Sequence, residues 1–202
     1  MKNQDKLPIF EYFYSIQGEG AHSGKPAFFI RLAGCNVGCQ WCDVKESWPI
    51  KDSQFLSVAE IIDKAKEAKT DLVIITGGEP LVHNLDHLTS ELKKIDKKIH
   101  LETSGTEPFS GSFDWICFSP KKFKKPLDIY YKLSDELKVV VFNKSDFSWA
   151  DSHAHLMKKQ SFLYLQPECS VEKKVNPLIF DFIKQNPNWK ISLQIHKYLG
   201  VD

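Results

Sequence analysis

The chain has 202 residues, of which 42% are hydrophobic, 12% aromatic and 26% charged, so it is long enough to bury a core of its own. Its 27 basic and 26 acidic side chains leave a formal net charge of +1, which excludes the strong positive field of a protein that binds nucleic-acid backbone. Residues 1–16 mix charged and apolar side chains, and no segment has the apolar run of a secretion signal or membrane span, so we predict a cytoplasmic protein that binds neither nucleic acid nor membrane.

Strand and helix patterns alternate along most of the chain. Residues 27–32 are predicted to form the first buried strand, because they are rich in apolar and aromatic side chains. Ser57 and Glu60 then form an S-x-x-E capping box, which predicts a helix, and further helices are predicted to begin near Asn84 and at Asn176. The same reasoning predicts later strands over residues 71–76, 98–101, 115–118, 137–142, 162–165 and 191–194.

This alternation is typical of an α/β protein with parallel strands joined by helices. A complete eight-fold βα barrel usually needs about 250 residues. The chain is shorter, so we predict an open, incomplete (βα) barrel that forms a single domain over residues 1–202. Functional loops in such folds follow the carboxyl ends of the strands. Here those loops contain three cysteines after the first strand, residues 77–80 (GGEP) after the second, and residues 102–106 (ETSGT) after the third.

Three of the five cysteines lie within eight residues, in the spacing C-x3-C-x2-C: Cys35, Cys39 and Cys42. In a reducing compartment, clustered cysteines bind metals more often than they form disulfides. A cubane iron–sulfur cluster normally uses four thiolates, so three would leave one iron open to another molecule. A zinc site remains an alternative, if a distant residue such as Cys117, Cys169 or a histidine supplies the fourth ligand.

The cysteine loop and the Gly-Gly-Glu-Pro turn together resemble the radical S-adenosylmethionine (SAM) enzymes, and Trp41 matches the aromatic residue that commonly precedes the last cysteine. The resemblance implies a [4Fe–4S] cluster on the three cysteines. It also implies that the open iron chelates SAM, which is cleaved reductively to a 5′-deoxyadenosyl radical. The predicted fold is then the incomplete barrel of the radical SAM type.

Four further segments narrow the resemblance to the 7-carboxy-7-deazaguanine synthase family: residues 13–20 (FYSIQGEG), 28–36 (FFIRLAGCN), 119–121 (SPK) and 192–200 (SLQIHKYLG). This family resemblance covers the chain from near residue 8 to its end. It implies a carbon–nitrogen lyase that contracts the ring of 6-carboxy-5,6,7,8-tetrahydropterin to 7-carboxy-7-deazaguanine, with release of ammonia. The product leads to 7-deazapurines such as queuosine.

The resemblance also implies the residues of the site. Besides the three cluster cysteines, it places the following residues around SAM: Trp41, Cys42, Asp43, Gly77, Gly78, Glu79, Glu102, Ser104, Ser119, Pro120, Lys121, Lys122, Gln166, Pro167, Glu168 and Cys169.

The residues expected around the substrate include groups that suit a pterin. The amide of Gln17 can donate and accept, Glu19 can accept from an amino group, and Arg31 can bind a carboxylate with two parallel hydrogen bonds. The full predicted set is Ile16, Gln17, Gly18, Glu19, Arg31, Thr76, His196 and Asp202, the last through its terminal carboxylate.

One position departs from the family pattern. Members often have a threonine or serine two residues after the last cysteine, where its hydroxyl helps to bind Mg²⁺, but this chain has Val44. Either other groups hold the metal or the enzyme does not need it. The resemblance further suggests a homodimer and an electron donor such as flavodoxin. The rival interpretations are another radical SAM enzyme, such as a glycyl-radical activating enzyme, and a non-enzymatic zinc-binding module.

Overall fold

The computed structural model describes residues 5–201, and within them nine strands form one sheet in the order β3-β1-β2-β4-β5-β6-β7-β8-β9. β1 is antiparallel to both β2 and β3, whereas all later neighbours are parallel. The strands are β1 (Lys6–Ile16), β2 (Pro26–Leu32), β3 (Phe55–Ser57), β4 (Leu72–Gly77), β5 (Lys98–Thr103), β6 (Trp115–Phe118), β7 (Glu136–Val141), β8 (Phe162–Pro167) and β9 (Trp189–Ile191).

Six α-helices occur in the described part of the chain: α1 (Val58–Glu67), α2 (Asp86–Lys94), α3 (Tyr130–Leu133), α4 (Ser145–Ala154), α5 (Glu172–Gln185) and α6 (Ile195–Leu199). The predicted capping box is confirmed, since the Ser57 hydroxyl accepts the Glu60 N–H and the Glu60 carboxylate accepts the Ser57 N–H. The prediction that a helix begins at Asn176 is wrong, because α5 begins at Glu172 and contains Pro177. Proline has no N–H to donate to the carbonyl of Lys173, four residues earlier in the helix. Lys173 is exposed in the first turn, so water can bind this carbonyl instead.

The two faces of the sheet differ in chemistry because successive side chains of a strand point to opposite sides. One face packs against the helices and forms the apolar core, with Leu101, Phe118 and Leu137 fully buried. The opposite face carries polar groups in neighbouring strands, where Glu102 pairs with Cys117 and Cys117 with Glu136.

The sheet is strongly curved. β1 and β7 are five places apart in the strand order, which would separate them by about 24 Å in a flat sheet. Instead, the carboxylate of Glu19, just after β1, lies 2.5 Å from the ammonium of Lys138 in β7. The sheet does not close, which confirms the prediction of an open, incomplete barrel.

The segment after β9 contacts the loop after β1. The Gly20 N–H donates to the Ser192 hydroxyl at 3.0 Å, and the Ile195 N–H donates to the Gly18 carbonyl at 3.0 Å. We call these contacts the terminal clasp. They join the two ends of the described chain beside the mouth of the barrel. Among residues 5–201, no helix is long and apolar enough to cross a membrane.

Candidate functional site

A cavity of about 310 Å³ opens at the carboxyl ends of the parallel strands. Its wall combines the cysteine loop, the turn after β4, the loop after β1 and the segment after β9. The predicted site residues that line it are Ile16, Gln17, Gly18, Glu19, Arg31, Cys35, Cys39, Trp41, Cys42, Asp43, Thr76, Gly77, Gly78, Glu79, Glu102, Ser104, Ser119, Lys121, Gln166, Pro167, Glu168, Cys169 and His196.

Two of the predicted residues that the structure describes are not part of this wall, and a third cannot be placed in it. Pro120 is not among the lining residues, and neither is Lys122, whose ammonium contacts the Asp146 carboxylate at 2.5 Å. Lys122 thus faces α4 and not the cavity. Asp202 lies outside the described residues.

Backbone hydrogen bonds join the cysteine loop to the turn after β4. The Glu79 N–H donates to the Gly34 carbonyl at 2.9 Å, and the Gly78 N–H donates to the Leu32 carbonyl at 3.1 Å. A Cβ atom on Gly78 would lie 2.4 Å from the Gly34 carbonyl oxygen and 2.6 Å from the Cβ of Cys35. Only glycine permits this close approach, so Gly78 lets the two motifs form one surface.

The three thiols of the loop are free, and they suit a positively charged metal group. Cys39 is buried, whereas Cys35 and Cys42 are partly exposed. Burial raises the pKa of Cys35, and burial together with the neighbouring Cys42 and Cys35 raises the pKa of Cys39 to about 11. A thiolate is therefore costly here unless bound iron neutralises its charge. The donor set consequently fits an iron–sulfur cluster.

Within residues 5–201, no group of three His, Cys, Asp or Glu side chains converges on the position of a single metal ion. Each thiolate of a cubane binds a different iron, so the ligands of a cluster need not converge in this way. A closed zinc site does require convergence of its ligands.

The carboxylate of Glu79 is buried in the wall beside the cysteine loop, with 1% of the residue exposed. Its Oε1 accepts from the Thr103 hydroxyl at 2.6 Å and the Leu81 N–H at 3.2 Å. Its Oε2 accepts from the Ser104 N–H at 2.7 Å and the Ser104 hydroxyl at 2.5 Å. Four donors therefore fix the orientation of this carboxylate.

Another part of the wall contains a polar network. Gln17 donates through Nε2 to Oε1 of Glu102 at 3.2 Å, and Lys138 contacts Oε2 of Glu102 at 2.9 Å. Gln194 donates to Oε1 of Glu19 at 2.7 Å. Burial alone would raise the pKa of Glu19, but the charge and hydrogen bond of Lys138, together with Gln194, lower this pKa to about 2. Glu102 thus contacts Gln17 and Lys138, on the side predicted for the substrate.

The guanidinium of Arg31 lies at the rim of the same cavity. Its Nε donates to the Glu11 carboxylate at 2.6 Å, and Arg31 pairs in register with Thr76 of β4. This single contact leaves the terminal N–H groups of Arg31 available for a second anion.

The cysteine loop also meets α6. The ammonium of Lys197 contacts the Asp43 carboxylate at 2.9 Å, the Gln194 side-chain oxygen at 3.0 Å and the Cys169 sulfur at 3.1 Å. Val44 lines the cavity next to this ion pair. A Cβ on Gly18 would lie only 2.0 Å from Nδ1 of His196, so glycine is needed at position 18 for α6 to dock.

Sequence reasoning missed several residues of the wall. Lys138, Gln194 and Lys197 have polar side chains in it, and Phe13, Phe29, Val37, Trp48 and Val140 contribute apolar surface. A signal existed for Lys138, because a charged residue inside the strand ELKVVV is unusual for a buried parallel strand. The other residues carry no comparable signal.

Comparisons with known proteins agree with this geometry. The family model of the Radical SAM superfamily matches residues 29–122. A 7-carboxy-7-deazaguanine synthase from Flavobacterium psychrophilum is 46% identical over 198 residues, which cover 98% of this chain and 93% of that protein. The synthase from Synechocystis sp. is 48% identical over 194 residues, or 96% of this chain and 93% of that protein. The crystal structure of QueE from Escherichia coli superposes with a TM-score of 0.83 at 29% identity and covers 93% of each chain.

Proposed function

This chain belongs to the 7-carboxy-7-deazaguanine synthase family of radical SAM enzymes, and we propose that the cavity described above is its active site. The protein is a carbon–nitrogen lyase that converts 6-carboxy-5,6,7,8-tetrahydropterin into 7-carboxy-7-deazaguanine and ammonia, in queuosine biosynthesis. One observation carries the assignment of the site: the cysteine loop and the turn after β4 line the same cavity as Gln17, Glu19 and Arg31.

Cys35, Cys39 and Cys42 would hold the [4Fe–4S] cluster. The bound cluster and SAM supply the radical that takes a hydrogen atom from the substrate. The contribution of the chain is to bind, orient and shield the reacting groups. The fixed carboxylate of Glu79 is suited to the amino group of the methionine moiety, and Trp41 and Lys121 form an adjacent wall, with the Lys121 ammonium 5.9 Å from the Trp41 ring centroid.

The substrate residues are assigned by chemistry. The guanidinium of Arg31 is suited to the pterin carboxylate. The carboxylate of Glu19 can accept hydrogen bonds from the N–H groups of the pterin ring. Gln17 is held in place, because its Oε1 accepts the Glu19 N–H at 3.1 Å. Thr76 and His196 add polar groups at the same mouth.

Turnover tests the proposal directly. Reduced, anaerobically reconstituted protein should convert the carboxytetrahydropterin to deazaguanine product and ammonia in equal amounts, without net loss of SAM. Omitting the pterin is the control. Consumption of SAM without deazaguanine would instead indicate a different radical SAM reaction, such as that of the glycyl-radical activating enzymes.

The residues present do not fit the magnesium site that the family pattern implies. The side chain of Val44 has no donor atom, and the carboxylate of the preceding Asp43 is already paired with Lys197. We therefore expect metal-depleted enzyme, with its iron content unchanged, to retain full turnover without added Mg²⁺. The matched variant Val44→Thr restores a hydroxyl and should respond more strongly to Mg²⁺. A large loss on depletion that Mg²⁺ reverses in the wild type would contradict this expectation.

The remaining predictions stay proposals. A homodimer and a flavodoxin-type electron donor follow from the family resemblance. A cytoplasmic location follows from the need to keep the cluster-binding thiols reduced. The single-domain organisation over residues 1–202 likewise stays a prediction.

A further inference from the structure

Lys138 is a buried ammonium in the floor of the cavity. It lies in the middle of β7, with 4% of the residue exposed, and it lines the cavity. Its Nζ contacts Oε2 of Glu19 at 2.5 Å and Oε2 of Glu102 at 2.9 Å. Lysines are almost never fully buried unless an acidic group pairs with them. The positive charge of Lys138 is therefore compensated here by these two carboxylates.

A third carboxylate nearby belongs to a deeper layer. Glu136 accepts the Ala21 N–H at 3.0 Å and contacts the Cys117 sulfur at 3.5 Å, and it is not among the residues that line the cavity. Burial raises the pKa of Glu136, which favours its neutral form. The charge of Lys138 is therefore balanced mainly by Glu19 and Glu102, and not by Glu136. Two carboxylates and one ammonium together leave a local charge of about −1.

The position of Lys138 links three parts of the wall. Glu19 belongs to the loop after β1 and is also held by Gln194 from the segment after β9. Glu102 belongs to β5 and is also held by Gln17. Each carboxylate oxygen that accepts one hydrogen bond retains capacity for another. Two fixed, ionised carboxylates that are side by side can therefore accept the N–H groups of a reduced pterin ring.

We propose that Lys138 is a positioning residue for substrate recognition, which holds Glu19 and Glu102 side by side as paired acceptors for the pterin N–H groups. The inference rests on the proposed function of the cavity. Lys138 contributes through these two carboxylates, so its loss should weaken substrate binding more than SAM binding.

The variant Lys138→Gln tests this role. The KM for the pterin should rise by roughly 30-fold or more, because a buried carboxylate pair loses its cation. The dissociation constant for SAM should stay within about twofold. Lys158→Gln is the matched control, since Lys158 forms an ion pair with Asp135 at 2.8 Å and does not line the cavity.

A pH profile separates positioning from a merely structural role. The ionisable groups that act on Glu19 are Lys138 of β7, Asp43 of the cysteine loop and His196 of α6. Lys138 in turn interacts with Glu136 of β7, Glu102 of β5 and Cys117 of β6. Without Lys138, burial raises the pKa of Glu19, so the acid limb of kcat/KM should move to higher pH by more than about one unit. In a Glu19→Gln background the same substitution should change KM much less, because one of its two partners is already neutral.

The outcomes are distinct. A folded Lys138→Gln enzyme with unchanged KM and an unchanged acid limb would overturn the inference, and so would an equal rise of KM in Lys158→Gln. If Lys138→Gln does not fold, Lys138→Gln/Glu102→Gln removes one of the two paired carboxylates together with the ammonium. The acid limb and KM of this double variant are then measured against those of Glu102→Gln. Wild-type protein that does not turn over the pterin would refute the proposed function itself, whereas active wild type with an indifferent Lys138 refutes only this inference.

Discussion

Replacing Cys39 by alanine is expected to abolish both cluster assembly and turnover. Cys39 is the most buried of the three loop thiols, and its loss leaves two ligands for a cluster that needs three from the protein. Reconstituted Cys39→Ala protein should lose its brown absorption and most of its iron. It should release no methionine or 5′-deoxyadenosine from SAM under reducing conditions.

Cys117→Ala is the matched control for this result. Cys117 is equally a buried cysteine, but it lies in β6, contacts Glu136 and does not line the cavity. Its replacement should leave iron content and turnover near those of the wild type, at a modest cost in stability. A Cys39→Ala protein that retained a full cluster, or a Cys117→Ala protein that lost one, would show that the cluster ligands are assigned wrongly.

Replacing Glu79 by glutamine should damage both stability and SAM binding. Each carboxylate oxygen accepts one backbone N–H, from Leu81 or from Ser104. In Glu79→Gln, an amide nitrogen replaces one of these two oxygens. Because this nitrogen is itself a donor, the buried backbone N–H of either Leu81 or Ser104 loses its acceptor. We expect a loss of about 2 to 3 kcal/mol in the free energy of unfolding, measured by denaturant titration. The dissociation constant for SAM should also rise at least about tenfold, because a charge-assisted contact to its amino group is lost.

Glu136→Gln is the control for burial, because Glu136 is also almost fully buried but, within residues 5–201, accepts a backbone N–H from Ala21 alone. The glutamine keeps an oxygen for that donor, so SAM binding should not change. The assignment of Glu79 would be refuted by a Glu79→Gln protein that binds SAM as tightly as the wild type does.

The parallel strands β2 and β4 to β8 could be predicted from the sequence, because strands that are buried on both faces consist of short apolar runs. The last strand was predicted over residues 191–194, but β9 lies at Trp189–Ile191. The first strand could not be predicted. Residues 6–16 combine exposed Tyr12 and Tyr14 with charged side chains, since this strand is antiparallel and one face of it is partly solvated. Its antiparallel pairing with β2 and β3 is a long-range interaction that local sequence patterns do not encode.

The site shows the same division. The common place of the loop cysteines and Glu79 in the cavity wall could be predicted because these residues occupy short contiguous motifs that follow neighbouring strands. Lys138 and Lys197 were missed because their partners Glu19 and Asp43 are more than a hundred residues away in the chain. His153 shows the same limit: it lies in a polar segment, yet it is buried, and its Nδ1 lies 2.8 Å from the hydroxyl of Tyr131, 22 residues away.

The terminal clasp has a consequence for how the protein is made. The three loop cysteines and Glu79 precede Ser192 and Ile195 in the chain by more than a hundred residues, and these later residues complete the wall beside Gly18 and Gly20. Synthesis from the amino terminus therefore delivers the cysteine-bearing part of the wall well before the segment that closes it.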